Sequence, residues 1–286
     1  TGNDSLSGTS GDDVVYAYAG NDTVQGNDGN DYLFGSDGND WLYGGSGNDY
    51  MTGDAGADNI FAGTGIDTVY GGAGTDVIYS SGYGYYSAGD DNDYVYAGNG
   101  GGETLDGGSG IDWLYVNGWS GNYLVNLNTG ATNYSGESFV NFENLYTGTG
   151  NDTIYGTASA NYIYSSGGDD WISGGDGNDT LAGGLGDDTI YGDGGNDSIY
   201  AGDGNDYLVA GTGVDAIYGG IGNDTLVSSG YGIYNAEDGD DVVYAGVGGG
   251  ETIDGGAGTD FLNTESFSGN YLISLATGAT NFSGES

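Results

Sequence analysis

No lysine, arginine or histidine occurs in this 286-residue chain, against 43 aspartates and glutamates, for a formal charge of −43. With no basic side chain to neutralise a phosphate, nucleic acid is excluded as a partner. Cysteine is absent as well, so disulfides, thiolate chemistry and Cys-ligated zinc are ruled out. The lack of histidine removes ordinary zinc and copper sites. It also removes the usual base of a serine triad and the HExxH helix of a metalloprotease. No apolar run reaches the ~18 residues of a membrane-spanning helix. A secretory signal peptide needs a basic start and an apolar stretch, and neither is present.

What remains is glycine, acid and tyrosine: 66 Gly, 27 Tyr, and aromatics at 13% of all residues. Uncompensated charge opposes compaction, and on charge alone the chain reads as disordered. The aromatic content and a strict apolar periodicity argue the other way. Such a chain folds if something external supplies positive charge. A metal cation is the simplest source, because isolated carboxylates cannot be crowded together without one. The only side-chain ligands left are oxygens, which favours a hard cation such as Ca2+.

Two periods are nested. The short one is nine. Asp stands at positions 4, 13, 22, 31, 40, 49, 58, 67 and 76. Two residues after each comes Leu6, Val15, Val24, Leu33, Leu42, Met51, Ile60, Val69 or Ile78. A three-residue apolar-centred segment between Gly-rich turns suits a short strand, and the glycine content disfavours helix. The long period is 148: TGND at Thr1–Asp4 recurs at Thr149–Asp152, and Ser80–Gly110 recurs at Ser228–Gly258. Ser120–Ser138 recurs at Ser268–Ser286. Two tandem units are therefore expected, 1–148 and 149–286. The first divides into regular repeats to about residue 79, an irregular coil over 80–92, looser repeats over 93–114 and a non-calcium capping or return segment over 115–148 with a strand and turn in YLVNLNTG (Tyr123–Gly130). The second copy stops before the return segment completes, which reads as a window on a longer array. No Pro- or Ser-rich linker separates the units, so one continuous solenoid is expected.

Gly44–Thr52 (GGSGNDYMT), Gly71–Tyr79 (GGAGTDVIY), Gly174–Ala182 (GGDGNDTLA) and Gly219–Val227 (GGIGNDTLV) fit the nonapeptide GGxGxDxUx. The chain thereby resembles the RTX calcium-binding proteins: secreted toxins, proteases, lipases, adhesins and surface-layer proteins. The resemblance implies an all-β parallel β-roll, two strands per coil, with Ca2+ held between stacked turns by backbone carbonyls and by the repeat Asp of each turn. Residues i and i+18 then stack one coil apart, at about 4.8 Å. Two carboxylates that close repel unless a divalent cation sits between them. The ligand set carried over is Asp4, Asp13, Asp22, Asp31, Asp40, Asp49, Asp58, Asp67, Asp76, Asp93 and Asp112 in the first unit. In the second it is Asp152, Asp170, Asp179, Asp188, Asp197, Asp206, Asp215, Asp224, Asp241 and Asp260. Asn161 breaks the series. GNGGGE and GVGGGE are one residue too long, so Glu103 and Glu251 are expected off-geometry and stand outside the set. Other turn acids, such as Asp28 and Asp37, read as solvated surface.

The residues flanking the inward aliphatic position are often aromatic. Stacking places Tyr16, Phe34 and Tyr70 on one flank, and Tyr43, Phe61 and Tyr79 on the other. Aromatics suit strand surfaces, but a repeated exposed strip also suits lateral contact with copies of the same protein. Surface polysaccharide is a further partner such strips fit. The expectation is a Ca2+-dependent structural protein without catalytic activity, extracellular or at the cell surface, part of a filament, surface layer or matrix. Resemblance to the family implies export unfolded by a type I channel and folding outside. The alternatives are an adhesin or spacer module, or the RTX region of a secreted enzyme or toxin.

Overall fold

The computed structural model describes residues 2–118, 120–247, 250–264, 272–274 and 281–283, the last two stretches as backbone only. All regular structure among them is strand. The chain forms two compact units, Thr1–Trp119 with Val125–Tyr146, and Ser120–Leu124 with Thr147–Ser286.

Each unit is a parallel β-roll. In the first, Thr23–Asp28, Trp41–Ser46, Asn59–Thr64 and Val77–Tyr79 pair in parallel on one side. Tyr32–Asp37, Tyr50–Ala55 and Asp67–Ala73 pair in parallel on the other. The register is one coil of two nonapeptides: Trp41 lies beside Asn59, and Tyr50 beside Thr68. The second unit repeats this, with Thr180 beside Ser198 on one side and Thr189 beside Tyr207 on the other. The expected three-residue strands are often longer, six residues in Trp41–Ser46 and seven in Asp67–Ala73. The turn backbone itself pairs with the next coil: the Gly29 amide donates to the Ser46 carbonyl at 2.9 Å.

The nine-residue period sorts side chains by face. Leu33, Leu42, Met51, Ile60, Val69 and Ile78 are completely buried between the two sheets. Each contributes roughly 1.5–3 kcal/mol by leaving water. Leu6 and Val15, in the first coil, are only half-buried. Glycine is required where turns stack: Gly47 has φ +129°, and a Cβ there would collide with the Gly29 carbonyl oxygen. The asparagine of GND ties successive turns together, Asn30 Oδ1 accepting the Asn48 amide at 2.8 Å.

The return segment of the first unit is a detour. Val125 and Asn126 pair antiparallel with Thr132 and Ala131. Ser138–Val140 then rejoins the parallel sheet beside Glu103–Ser109, and Asn144–Tyr146 rejoins the other beside Trp113–Tyr115.

Candidate metal centre

Each repeat Asp sits immediately before a strand, or opens it in the case of Asp67 and Asp215, at the edge where a Gly-rich turn hands the chain to the sheet. Stacking makes these residues into columns. In the first unit the Asp22 amide donates to Asp40 Oδ1 at 2.8 Å, Asp40 to Asp58 at 2.7 Å, and Asp58 to Asp76 at 2.8 Å. Asp76, Asp93 and Asp112 continue the series. On the opposite edge Asp13, Asp31, Asp49 and Asp67 are linked in the same way. The second unit builds Asp152, Asp170, Asp188, Asp206, Asp224, Asp241 and Asp260 into one column. Asn161, Asp179, Asp197 and Asp215 form its other.

One oxygen of each carboxylate is thus satisfied; the other decides the chemistry. Among the described residues sixteen repeat aspartates have a buried Oδ2 with no hydrogen-bond partner, including Asp22, Asp31, Asp40, Asp179 and Asp260; the Ser165 hydroxyl comes near another of them, Asp170. At glycine-led turns these oxygens stand across the glycine from a carbonyl of the next coil, which is also an acceptor. A Cβ placed on Gly219 would stand 2.5 Å from Asp224 Oδ2 and 2.5 Å from the Ala236 carbonyl oxygen of the next coil. Gly26, between Asp31 Oδ2 and the Gly44 carbonyl, and Gly71, between Asp76 Oδ2 and the Ala88 carbonyl, repeat the arrangement. Carboxylate and carbonyl oxygens converging without a donor form a donor set that fits a hard cation with many oxygen ligands. Among the described residues no three carboxylates come together at one point, because the columns hold their acids one per turn and any further oxygens must come from the backbone.

Burial pushes these carboxyls up, and the carboxylates of adjacent coils push them further. Asp76 and Asp188 rise to about 8. Asp93, Asp170, Asp197, Asp206 and Asp241 rise to about 7. Asp49, Asp58, Asp112, Asp179 and Asp224 rise to about 6. Without a cation the fold therefore resists ionisation where the charges are most tightly stacked.

Five of the expected ligands differ. Asp4 is exposed and Asp13 half-buried. Asp13 Oδ2 also accepts the Thr9 amide at 2.5 Å and its hydroxyl at 2.9 Å. The Thr147 hydroxyl, which donates to the Ser165 carbonyl at 3.1 Å, lies beside the Asp152 carboxylate. Asp67 Oδ2 accepts from the Tyr86 hydroxyl and Asp215 Oδ2 from the Ser229 hydroxyl. Glu103 and Glu251, expected off-geometry, stand in the columns: Glu103 follows Gly84, which follows Asp67, in cross-strand register. Each is fully buried with an unpartnered Oε1. Two further acids, which the nonapeptide pattern does not reach, stand in the columns of the first unit. The Asp112 amide donates to Glu143 Oε2 at 2.9 Å, and Glu137 precedes Ser138, which pairs beside Thr104. Their signal in the sequence is an acid two residues before an apolar residue, Glu143 before Leu145 and Glu137 before Phe139.

The sequence profile of the RTX calcium-binding nonapeptide repeat matches residues 1–33, 25–60, 52–82, 98–122, 146–181, 173–208, 191–226 and 252–267. These stretches cover well over half of the chain, and with the parallel β-roll they define the class: a calcium-binding repeat protein. The chain belongs to the RTX calcium-binding nonapeptide-repeat family. No curated protein matches it in sequence.

Proposed function

We propose that this chain is a secreted structural protein whose coils are clamped by Ca2+, and that it forms part of an extracellular filament, surface layer or matrix. The observation that carries the calcium dependence is the set of buried, unpartnered Asp Oδ2 atoms facing carbonyl oxygens. The repeat aspartates and the first carbonyl of the repeat one coil further on would hold the ions. When bound, Ca2+ supplies the positive charge that the sequence lacks. The chain then folds where calcium is millimolar and stays unfolded where it is scarce, which suits export before folding. Among the described residues no helix is long and apolar enough to cross a membrane.

The structural role rests on the aromatic ladders. Tyr43, Phe61, Tyr79, Tyr96 and Tyr115 stack along one flank of the first unit, with successive ring centroids 4.9, 4.6, 4.6 and 4.5 Å apart and planes within 12°. The ladder is longer than the sequence alone indicates. On the other flank Thr52 interrupts the series, and Tyr50 bridges Phe34 and Tyr70 at 6.0 and 5.8 Å. In the second unit Tyr200 stacks on Tyr218 at 5.1 Å. Many rings remain open to solvent, including Tyr16, Tyr32, Trp41 and Tyr79. A flat, repeated aromatic strip offers a second copy many equivalent contacts, which add as avidity. Sedimentation velocity of the Ca2+-loaded chain tests this. Concentration-dependent larger species are expected, and Tyr43→Ser with Phe61→Ser and Tyr79→Ser should return the chain to monomer. A monomer at all concentrations would instead favour an adhesin or spacer role.

A further inference from the structure

In each unit one coil departs from the nonapeptide. Gly84 stands between Asp67 and Glu103 in cross-strand register, where the repeat would place an acid. Gly232 stands likewise between Asp215 and Glu251. Asp67 is as buried as its neighbours, and its Oδ1 accepts the Asp49 amide at 2.9 Å as elsewhere. Its second oxygen is different. Tyr86 Oη donates to Asp67 Oδ2 at 3.4 Å, and the Ser81 hydroxyl stands beside the same carboxylate. Tyr86 fills the inward position that aliphatics hold in other coils and is completely buried. Its Oη accepts the Ser81 amide at 3.1 Å and lies 2.7 Å from Ser81 Oγ and 2.8 Å from the Tyr83 carbonyl oxygen, to which Ser81 Oγ donates at 2.9 Å.

The second unit repeats the device with the same residues. Ser229 Oγ donates to Asp215 Oδ2 at 3.1 Å and lies 3.0 Å from Tyr234 Oη. Tyr234 accepts the Ser229 amide at 3.1 Å and donates to the Tyr231 carbonyl at 2.9 Å. Burial keeps both phenols protonated, pushing Tyr234 up to about 12 and Tyr86 further in the same direction. The electrostatic demand is lower at this turn as well. With Gly84 and Gly232 between, the next acid backbone lies two strand spacings away, about 9.6 Å instead of 4.8 Å. Glu103 turns its Oε2 to Ser80 Oγ at 2.5 Å, and Glu251 does the same with Ser228.

We propose that the Ser81–Tyr86 and Ser229–Tyr234 hydroxyl pairs close the Asp67 and Asp215 turns with hydrogen bonds where the regular turns use a cation, giving each unit a cation-independent turn beside the glycine that stands in the acid position. Asp67 and Asp215, part of the ligand set expected from sequence, are anchors for these hydroxyls. In the first unit the tyrosine hydroxyl donates to the acid and the serine hydroxyl holds it in place; in the second the serine donates and the tyrosine holds it. This rests on the calcium reading of the remaining columns.

The test counts bound Ca2+ by atomic emission after gel filtration of the full chain at saturating calcium. Asp67→Asn with Asp215→Asn should leave the count unchanged. The matched pair Asp58→Asn with Asp206→Asn, both with unpartnered Oδ2 atoms, should lose at least two ions. Equal losses overturn the proposal alone. No loss from either pair overturns the calcium reading and the proposal with it. Ser81→Ala with Ser229→Ala should lower the melting temperature of the Ca2+-loaded chain by roughly 4 °C without loss of ions. An unchanged melting temperature, or a lowered ion count, contradicts the hydroxyl clamp.

Discussion

Two kinds of coil lie next to each other in the first unit. Around Asp58 and Asp76 each turn contributes a buried acid, the acids stack one strand spacing apart, and each keeps one oxygen without a donor. Around Asp67 and Gly84 the strands pair in the same parallel register, yet the acid's second oxygen meets hydroxyls. The core is equally buried in both, Ile60 in one and Tyr86 in the other. A common backbone thus tolerates two solutions to one electrostatic problem. One imports positive charge from solution. The other spends two side-chain hydroxyls and omits the neighbouring acid. The first gives a fold that responds to calcium; the second gives a turn that does not.

The contrast is broken most forcefully by removing charge from a regular turn. Asp58→Asn should destabilise the Ca2+-loaded chain by about 3 kcal/mol, the scale for breaking a buried charged contact. The same substitution should increase the folded fraction in chelator, because it removes a buried carboxylate that has no counter-charge. Asp67→Asn should do neither. Denaturation followed by circular dichroism, with and without calcium, measures both effects.

An intermediate effect comes from pH. The regular columns have folded-state values raised to about 6–8, as at Asp58, Asp76 and Asp188. These groups bind protons more readily when folded than unfolded. Their contribution is fully present below the unfolded value near 3.9 and is lost as pH rises through the folded values. Calcium-free chain should therefore gain β structure as pH falls from 8 to about 5. Far-UV circular dichroism in chelator across that range checks it, and a spectrum independent of pH would count against stacked, buried carboxyls.

The smallest effect belongs to the outer ladder of turns. Asn48 Oδ1 accepts the Ile66 amide at 2.8 Å at the exposed edge. Asn48→Ala should cost about 0.5–1 kcal/mol, with ion count unchanged. A larger loss would mean that the asparagine ladder, and not the inner column, holds the turns together.

Much of this was legible in the sequence because the nine-residue period is rigid. Asp31, Leu33 and Gly35 each land on a fixed face, and the i to i+18 stacking follows from two strands per coil. What escaped were places where one irregularity offsets another. Glu103 and Glu251 follow a coil one residue too long, but the coil before it is one residue short, so their backbones stand in register with Asp67 and Asp215. Glu143 arrives after a detour of antiparallel pairing that no periodicity encodes. Tyr86 looks like one more aromatic in a tyrosine-rich stretch, and only its inward placement makes its hydroxyl a partner for Asp67. The ladder from Tyr43 was legible as far as Tyr79. Its extension to Tyr96 and Tyr115 crosses the irregular coil, which the regular spacing does not bridge.

The most direct measurement is far-UV circular dichroism of the chain at neutral pH during a Ca2+ titration from chelator, with Mg2+ in parallel. Clamping by calcium predicts a disordered spectrum in chelator, a cooperative change to β structure with Ca2+, and little change with Mg2+, which holds its water and demands tighter geometry. A β-rich spectrum in chelator, unmoved by Ca2+, would contradict it.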